Sequence, residues 1–203
     1  PGPRGGAVFN VPATYDVLPQ GAYREAVGFD AAYTAKSHAD YSVALTGRLI
    51  GDTIYLTGMI RQQAEAGQFL DMLTARGVRR VTWFRSGTEK GLEAFMRSKG
   101  VIVDAVTATG DKFARAQPVA DEWNAGKVAV PAHGSEHHGP WVDTLLDEVT
   151  TFTGLGDAHD DIVDALAAPH HALIGKRTTD PATAAAIYRY RREGPRCLST
   201  PPR

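Results

Sequence analysis

Three β-type stretches follow one another before the first helical period begins, and this order restricts the fold of the 203-residue chain more than any other feature. Residues 26–30 (Ala26-Val27-Gly28-Phe29-Asp30) read as a strand that ends in a carboxylate. Residues 41–47 and 53–59 read as the second and third strands, with Gly51-Asp52 as a turn signal between them. Helices and strands then alternate. Phe69, Leu70 and Leu73 share one face of a helix over 64–76, which Gly77 stops, and a buried strand is predicted over 78–84. A Gly-rich turn at 86–91 leads to a helix over 92–98, a strand over 101–106, a helix over 113–123 carrying Pro118, and a short strand over 127–130. Beyond a His- and Gly-rich loop, Trp141, Leu145, Leu146 and Val149 mark an amphipathic helix over 141–152. A last helix spans 160–174, with Asp residues crowding its first turn as the helix dipole favours. A hairpin meander followed by alternating helices and strands implies an α/β fold, a mixed β-sheet flanked by α-helices.

Residues 1–24 are rich in Pro and Gly, lack a period, and read as a linker or arm. Residues 25–178 read as one domain and residues 179–203 as a basic tail, without an internal repeat. The chain holds 22 Lys and Arg against 23 Asp and Glu, so net charge alone does not suggest a nucleic-acid binder. Its distribution is more informative: from residue 165 onward seven Lys or Arg face two acids. An acidic body that holds metals beside a basic surface that holds phosphates would look like this, as would many surfaces with no such role. No apolar run approaches the roughly 20 residues that span a bilayer, so no membrane is expected as a partner. Residues 1–6 lead into no apolar stretch of the kind a signal peptide carries. The single cysteine, Cys197, has no partner for an internal disulfide, which fits a reducing cytoplasm.

The chemistry is concentrated in His159-Asp160-Asp161-Ile162-Val163-Asp164-Ala165-Leu166. On a helix Asp161 and Asp164 share a face, as do Asp160 and Asp164. Like charges so spaced repel, and the surrounding Ile162, Val163, Ala165 and Leu166 set this acidic edge near the core rather than in bulk water. Buried paired carboxylates call for a cation, and hard cations such as Mg²⁺ or Mn²⁺ take oxygen ligands. Asp30 adds a carboxylate at a strand end, followed by the small residues Ala31 and Ala32. A two-metal site draws its acids from separate elements in this way. A third acid is expected near the end of the 78–84 strand, where Val81-Thr82-Trp83-Phe84-Arg85 offers none. Glu89 in the following turn is the nearest candidate, Asp104 the fallback, and an ordinary first-turn glutamate the competing reading of Glu89.

Lys112 and Arg115, three apart at a helix start, would aim two cations and the helix N-terminus at an anion such as a phosphate. His133, His137 and His138 lack a Cys partner and read as an exposed loop rather than a zinc site. His170 and His171 are accounted for by the helix dipole. Residues 173–178 have only a superficial likeness to a phosphate loop, since the upstream Gly is missing and Arg177 follows Lys176.

Together these segments resemble the nuclease domain of phage terminase large subunits. The stretches that carry the likeness are Gly28-Phe29-Asp30, Asp40-Tyr41-Ser42-Val43, Gly87-Thr88-Glu89-Lys90-Gly91 and Gly110-Asp111-Lys112-Phe113 through Arg115-Ala116-Gln117-Pro118. Trp123-Asn124-Ala125-Gly126 and His159-Asp160-Asp161 through Asp164-Ala165-Leu166 complete the ordered set, which covers nearly all of residues 26–175. The resemblance implies a ribonuclease H-like fold and an endonuclease that cuts double-stranded DNA during viral genome packaging with two divalent cations, Mg²⁺ or Mn²⁺. Carried over by motif, Asp30 is the first metal ligand and Asp161 with Asp164 the helix ligands. The family's middle acid usually lies closer to the strand end than Glu89 does. Lys112 and Arg115 are the expected DNA contacts. Implied partners are an N-terminal ATPase domain of the same polypeptide, the portal and the small terminase subunit, in the cytoplasm of an infected bacterial host. Two other expectations stay open: a junction-resolving nuclease of the same superfamily, and a catalytically inactive DNA-binding or assembly module that has lost the middle acid.

Overall fold

Strands β2 (Tyr23–Asp30), β3 (Ser42–Ile50) and β4 (Thr53–Gln62) form the expected antiparallel meander. Gly51 closes the β3–β4 turn at φ +64°, a conformation that a side chain would strain. The chain is seen here as a computed structural model that describes residues 5–31, 41–85, 90–108, 110–157 and 160–174. Residues 1–173 make one compact unit; of the second, 174–203, only Ile174 is described, so the basic tail lies outside the described residues.

After the meander, helix α1 (Ala66–Ala75) buries Phe69, Leu70 and Leu73 as its periodicity predicts. Strand β5 (Arg80–Arg85) pairs parallel with β2, and β6 (Ile102–Thr107), reached through helix α2 (Lys90–Ser98), pairs parallel with β5. Helix α3 (Lys112–Asn124) carries Pro118 in its interior without ending there, and leads to β7 (Val128–Pro131), parallel to β4. Helices α4 (Pro140–Thr151) and α5 (Asp161–Leu173) close the chain. With a short first strand, β1 (Ala13–Tyr15), the sheet has seven strands among the described residues, ordered β1-β7-β4-β3-β2-β5-β6, which is the mixed, helix-flanked sheet expected.

The segment read as an arm contributes to this unit. Ala13–Tyr15 forms β1, which adds to the β7 edge in parallel, and the Tyr15 hydroxyl donates to the Leu56 carbonyl at 2.7 Å. Phe9 is fully buried, edge-on to Trp123 at 5.6 Å and tilted against Phe152 at 6.2 Å. An unpaired sheet edge exposes a row of backbone donors and acceptors, and β1 covers part of it.

The two faces of the sheet differ. On one, Phe29, Val81, Trp83 and Val103 meet Phe69, Leu70 and Leu73 of α1 and Met96 of α2. The other carries α5, with α3 and α4 packed against it. Side chains alternate along a strand, so Gly28 and Asp30 face α5 while Phe29 faces α1. A β-carbon built on Gly28 would lie 2.0 Å from the Ala165 carbonyl oxygen and 2.3 Å from Pro169 Cδ. Pro169 has no N–H to donate to residue 165, so that carbonyl is spared its usual helical partner and turns to the sheet. Glycine at 28 and proline at 169 thus allow α5 to lie directly on β2, and that approach brings its N-terminal acids toward Asp30.

Candidate active site

Asp30 is the last residue of β2, enclosed beneath the N-terminal end of α5. Burial, with the nearby charges of Asp164 and Asp161, pushes its carboxyl up to about 8 against the opposing pull of Lys112 and the Ala31 N–H. Three acids expected to act together are thus brought within electrostatic reach of one another: Asp30, Asp161 and Asp164. Asp164 is itself buried, and Asp161 Oδ2 accepts the Tyr41 N–H at 3.3 Å.

Lys112 and Arg115 enter from α3. Asp111 caps that helix by accepting the Ala114 N–H at 2.8 Å, which fixes the first turn and points the next two cations at α5. Lys112 Nζ lies 2.6 Å from Asp160 Oδ1 and 3.4 Å from Asp164 Oδ2. Arg115 grips Asp164 with both arms, Nε to Oδ1 and Nη2 to Oδ2, each at 2.9 Å. The anions these residues hold in this structure are therefore the protein's own carboxylates. Burial works against the Lys112 ammonium, but its hydrogen bond to Asp160 and the charges of Asp164 and Asp30 outweigh it and raise its pKa. The Asp164 hydrogen bond does the same for Arg115.

Glu148 of α4 joins the site although no sequence motif marked it. Its Oε1 accepts the Ile162 N–H at 2.6 Å, and Oε2 lies 3.6 Å from Arg61 Nη2. Burial pushes this carboxyl up to about 7, opposed by the Ile162 N–H and Arg61 and assisted by Asp161 and Asp160. Arg61 in turn stacks over the Tyr41 ring, 3.5 Å from its centroid. A charged residue in the middle of the apolar face of an amphipathic helix is the signal that could have found Glu148.

The middle acid is not supplied by β5. Gly28 and Phe29 pair with Thr82 and Trp83, so the register carries Phe84 alongside Asp30, and the Phe84 ring meets His171 at 5.6 Å. Arg85 ends the strand and pairs with Glu93 at 2.7 Å, which Arg97 also holds. Glu89 lies outside the described residues. Asp104, the fallback, is not brought to the cluster: it pairs with Thr82 in β6, two strands from Gly28, and Arg80 Nη1 contacts both its oxygens at 3.2 and 3.0 Å.

One histidine reading is revised. His170 is buried, which lowers its pKa, so it stays neutral rather than serving as a cation at the helix end. The 133–138 loop exposes His133, Gly134 and Glu136 as expected, while His137 and His138 are half-buried: the His133 and His138 rings lie 5.1 Å apart, His138 Nε2 is 3.6 Å from Asp143, and His137 rests on Tyr15 at 5.9 Å. Among the described residues no three His, Cys, Asp or Glu side chains are arranged to hold a metal ion together. By donor chemistry, however, Asp30, Asp161 and Asp164 fit a hard divalent cation. They are oxygen donors crowded together, and burial with the neighbouring charges raises the carboxyl of one of them, Asp30.

The fold is the one seen in solved structures of large terminase nuclease domains. Among solved structures, the cobalt-bound large terminase nuclease of thermophilic phage G20c superposes with a TM-score of 0.56 at 19% identity, over 81% of this chain and 94% of that one. The same nuclease has also been solved with zinc and with magnesium bound. The large terminase nuclease domain of Thermus phage P74-26 matches with a TM-score of 0.56 at 20% identity, over 78% of this chain and 82% of that one. The large terminase of a further thermophilic bacteriophage gives 0.58 at 13% identity over 79% of this chain, and the match takes in 43% of that protein. No protein-family model matches the sequence, and no curated protein matches it. No helix among the described residues is long and apolar enough to cross a membrane.

Proposed function

We propose that this chain is the nuclease portion of a phage terminase large subunit, a divalent-metal-dependent endonuclease acting on double-stranded DNA during genome packaging. The observation that carries the reading is the gathering of Asp30, at the end of β2, with Asp161 and Asp164 of the α5 first turn, where burial and their charges push the Asp30 carboxyl up to about 8. A carboxylate kept so far from its usual range is an unstable arrangement unless a cation is meant to share the pocket.

Asp30, Asp161 and Asp164, completed by Glu89, would hold two cations, Mg²⁺ or Mn²⁺, which when bound activate water and neutralise the departing 3′ oxygen. Lys112 and Arg115, with the N-terminus of α3 behind them, would bind backbone phosphates crossing the first turn of α5. Such contacts carry no sequence information, so cleavage is weakly specific and salt-sensitive. Hydrolysis is direct, without a covalent intermediate. The match to 43% of a longer large terminase supports a natural polypeptide that also has an ATPase part. Portal and small-subunit contacts, and a place in the infected bacterial cytoplasm, belong to the same reading. Within it, residues 1–24 lead from the ATPase part and residues 179–203 add a basic tail.

A second reading rests on Phe84. With an aromatic ring alongside Asp30 where β5 would carry an acid, the chain could keep the fold as a DNA-binding module without cutting. Supercoiled plasmid incubated in Mn²⁺, Mg²⁺ or EDTA with the wild type and Asp30→Ala separates the two. Metal-dependent nicking that vanishes in the variant supports the nuclease. DNA binding without cutting in either metal supports the module, and preferential cutting of four-way junctions over linear duplex would instead indicate a resolving nuclease.

A further inference from the structure

Four contacts close into a ring at the N-terminus of α5. Glu148 Oε1 accepts the Ile162 N–H at 2.6 Å, and its Oε2 faces Arg61 Nη2 at 3.6 Å. The Arg61 guanidinium lies 3.5 Å over the Tyr41 ring, and the Tyr41 N–H reaches Asp161 Oδ2 at 3.3 Å. Asp161 and Ile162 are consecutive, so the circuit returns to its start. It joins α4, α5, the end of β4 and the entry to β3, none of which is adjacent to all the others in sequence.

Nothing in the packing of α4 requires a carboxylate here. Glu148 shares a buried face with Val142, Leu145 and Val149, where an aliphatic residue would fill the same space. Taking a charged side chain out of water costs free energy unless its oxygens have partners; here Oε1 accepts the Ile162 N–H and Oε2 faces the Arg61 charge. Both oxygens are thus directed at protein partners. The work of Glu148 is to hold an N–H of the first turn of α5, the turn that Asp161 opens. Arg61 completes the circuit by fixing Tyr41, whose N–H holds the other side of Asp161.

We infer that Glu148 is a positioning residue for Asp161, acting through Ile162 and, by way of Arg61 and Tyr41, through the backbone N–H that Asp161 accepts. The inference rests on the nuclease reading for the identity of the reaction, but the orientation of Asp161 can be read without any cutting. Partners that orient a ligand are worth about 10–100-fold in metal affinity when removed.

The test uses the full chain as wild type, Glu148→Ala and Glu148→Gln, with Mn²⁺ binding followed by electron paramagnetic resonance, thermal unfolding in EDTA, and plasmid cleavage. Glu148→Ala is expected to remain folded, to bind Mn²⁺ about 10–100-fold more weakly, and to lose kcat with DNA affinity unchanged. Glu148→Gln keeps an oxygen for the Ile162 N–H and is expected to recover most of the Mn²⁺ affinity, a rescue that loss of packing alone would not produce. Should Glu148→Ala unfold, Arg61→Gln provides the same reading from the other side of the ring, with a smaller loss of Mn²⁺ affinity. Mn²⁺ binding equal to wild type in folded Glu148→Ala, or in Arg61→Gln where Glu148→Ala is unfolded, overturns the inference, whatever the plasmid shows. A wild type that binds Mn²⁺ and never cuts, with binding weakened in the variant, overturns the nuclease reading and leaves the positioning role standing. A wild type that binds no Mn²⁺ overturns both.

Discussion

The carbonyl oxygen of Ala165 lies 2.0 Å from the point where a β-carbon of residue 28, a glycine, would stand. Gly28 therefore does more than relax the strand: it sets how closely α5 can approach β2, and with that the separation between Asp30 and the acids of the α5 first turn.

Gly28→Ala should accordingly cost about 3 kcal/mol or more, because the obstruction is backbone and cannot swing aside. Gly58→Ala is the control: no heavy atom lies within 4 Å of its virtual β-carbon, and its stability should change by less than about 1 kcal/mol. Urea unfolding of the two variants checks the contrast. At temperatures where Gly28→Ala is still folded, its metal-dependent cleavage should be the property lost first, since α5 must lift to accommodate the methyl group.

Asp30 gives the metal-free protein a defined pH dependence. Its carboxyl sits at about 8 in the folded chain against 3.8 as the ordinary value, so between these pH values the native state holds a proton that the unfolded state has released. Stability therefore falls as pH rises across that window. Glu148, at about 7 against 4.5, adds the same sign over a narrower range, while His170, lowered by burial, opposes it below its ordinary 6.5. In EDTA, Tm should decline from about pH 5 to about pH 8, and each kcal/mol of the penalty is worth roughly 2–4 °C in a domain of this size. Asp30→Asn should flatten the slope, raise Tm at the alkaline end and abolish cleavage. A wild-type Tm that climbs steadily across the same range in EDTA would contradict the buried, protonated Asp30.

Much of this arrangement was legible in the sequence, and the part that was not has a physical reason. The meander, the turn at Gly51, the alternation after α1 and the Asp-rich start of α5 are written in local periodicity and turn chemistry, which neighbouring residues determine. Asp30 was legible because a carboxylate closing an apolar run is a local anomaly. The sequence points Lys112 and Arg115 at a phosphate, but their pairing with Asp160 and Asp164 joins positions 48 and 49 residues apart, and spacing carries no trace of it. Glu148 is marked only as a charge on an apolar helix face, and its pairing with Ile162 on another helix leaves no trace in the spacing. The three-residue β1 and the burial of Phe9 were hidden by a Pro- and Gly-rich context in which a period cannot develop. Pro169 shows the converse: a residue that breaks helical hydrogen bonding is kept inside α5 because the carbonyl it spares meets Gly28.

Arg115 offers a prediction in which stability and metal binding move in opposite directions. Its side chain and that of Asp164 are 14% and 11% exposed, so the bidentate pair is largely screened from water. Arg115→Met should destabilise the protein in EDTA by roughly 3 kcal/mol, since it leaves Asp164 buried beside Asp30 without its principal counter-charge. The same loss removes a competitor for that carboxylate. Mn²⁺ should then raise the Tm of the variant more than that of the wild type, measured by differential scanning calorimetry at one metal concentration. DNA affinity should fall, with a shallower salt dependence. Equal Mn²⁺ shifts in the two proteins would show that Arg115 and the cation do not share Asp164.

The middle acid can be located by comparing two carboxylates that the fold treats differently. Asp104 is held by Arg80 on β6, two strands from Gly28, and its replacement by Asn should leave cleavage within about threefold of wild type and reduce stability by no more than about 1 kcal/mol, the usual worth of an exposed pair. Glu89 follows β5 directly, downstream of the position where Phe84 runs alongside Asp30. Glu89→Gln should lower kcat by about 100-fold or more if this residue completes the acid set, with little change in Tm, since about 1.4 kcal/mol added to the barrier is a tenfold loss in rate. Full activity in Glu89→Gln together with loss in Asp30→Asn would mean that the site works with the β2 and α5 acids alone. The departure of β5 from an acidic strand end would then mark a functional difference from terminase nucleases rather than a displaced ligand.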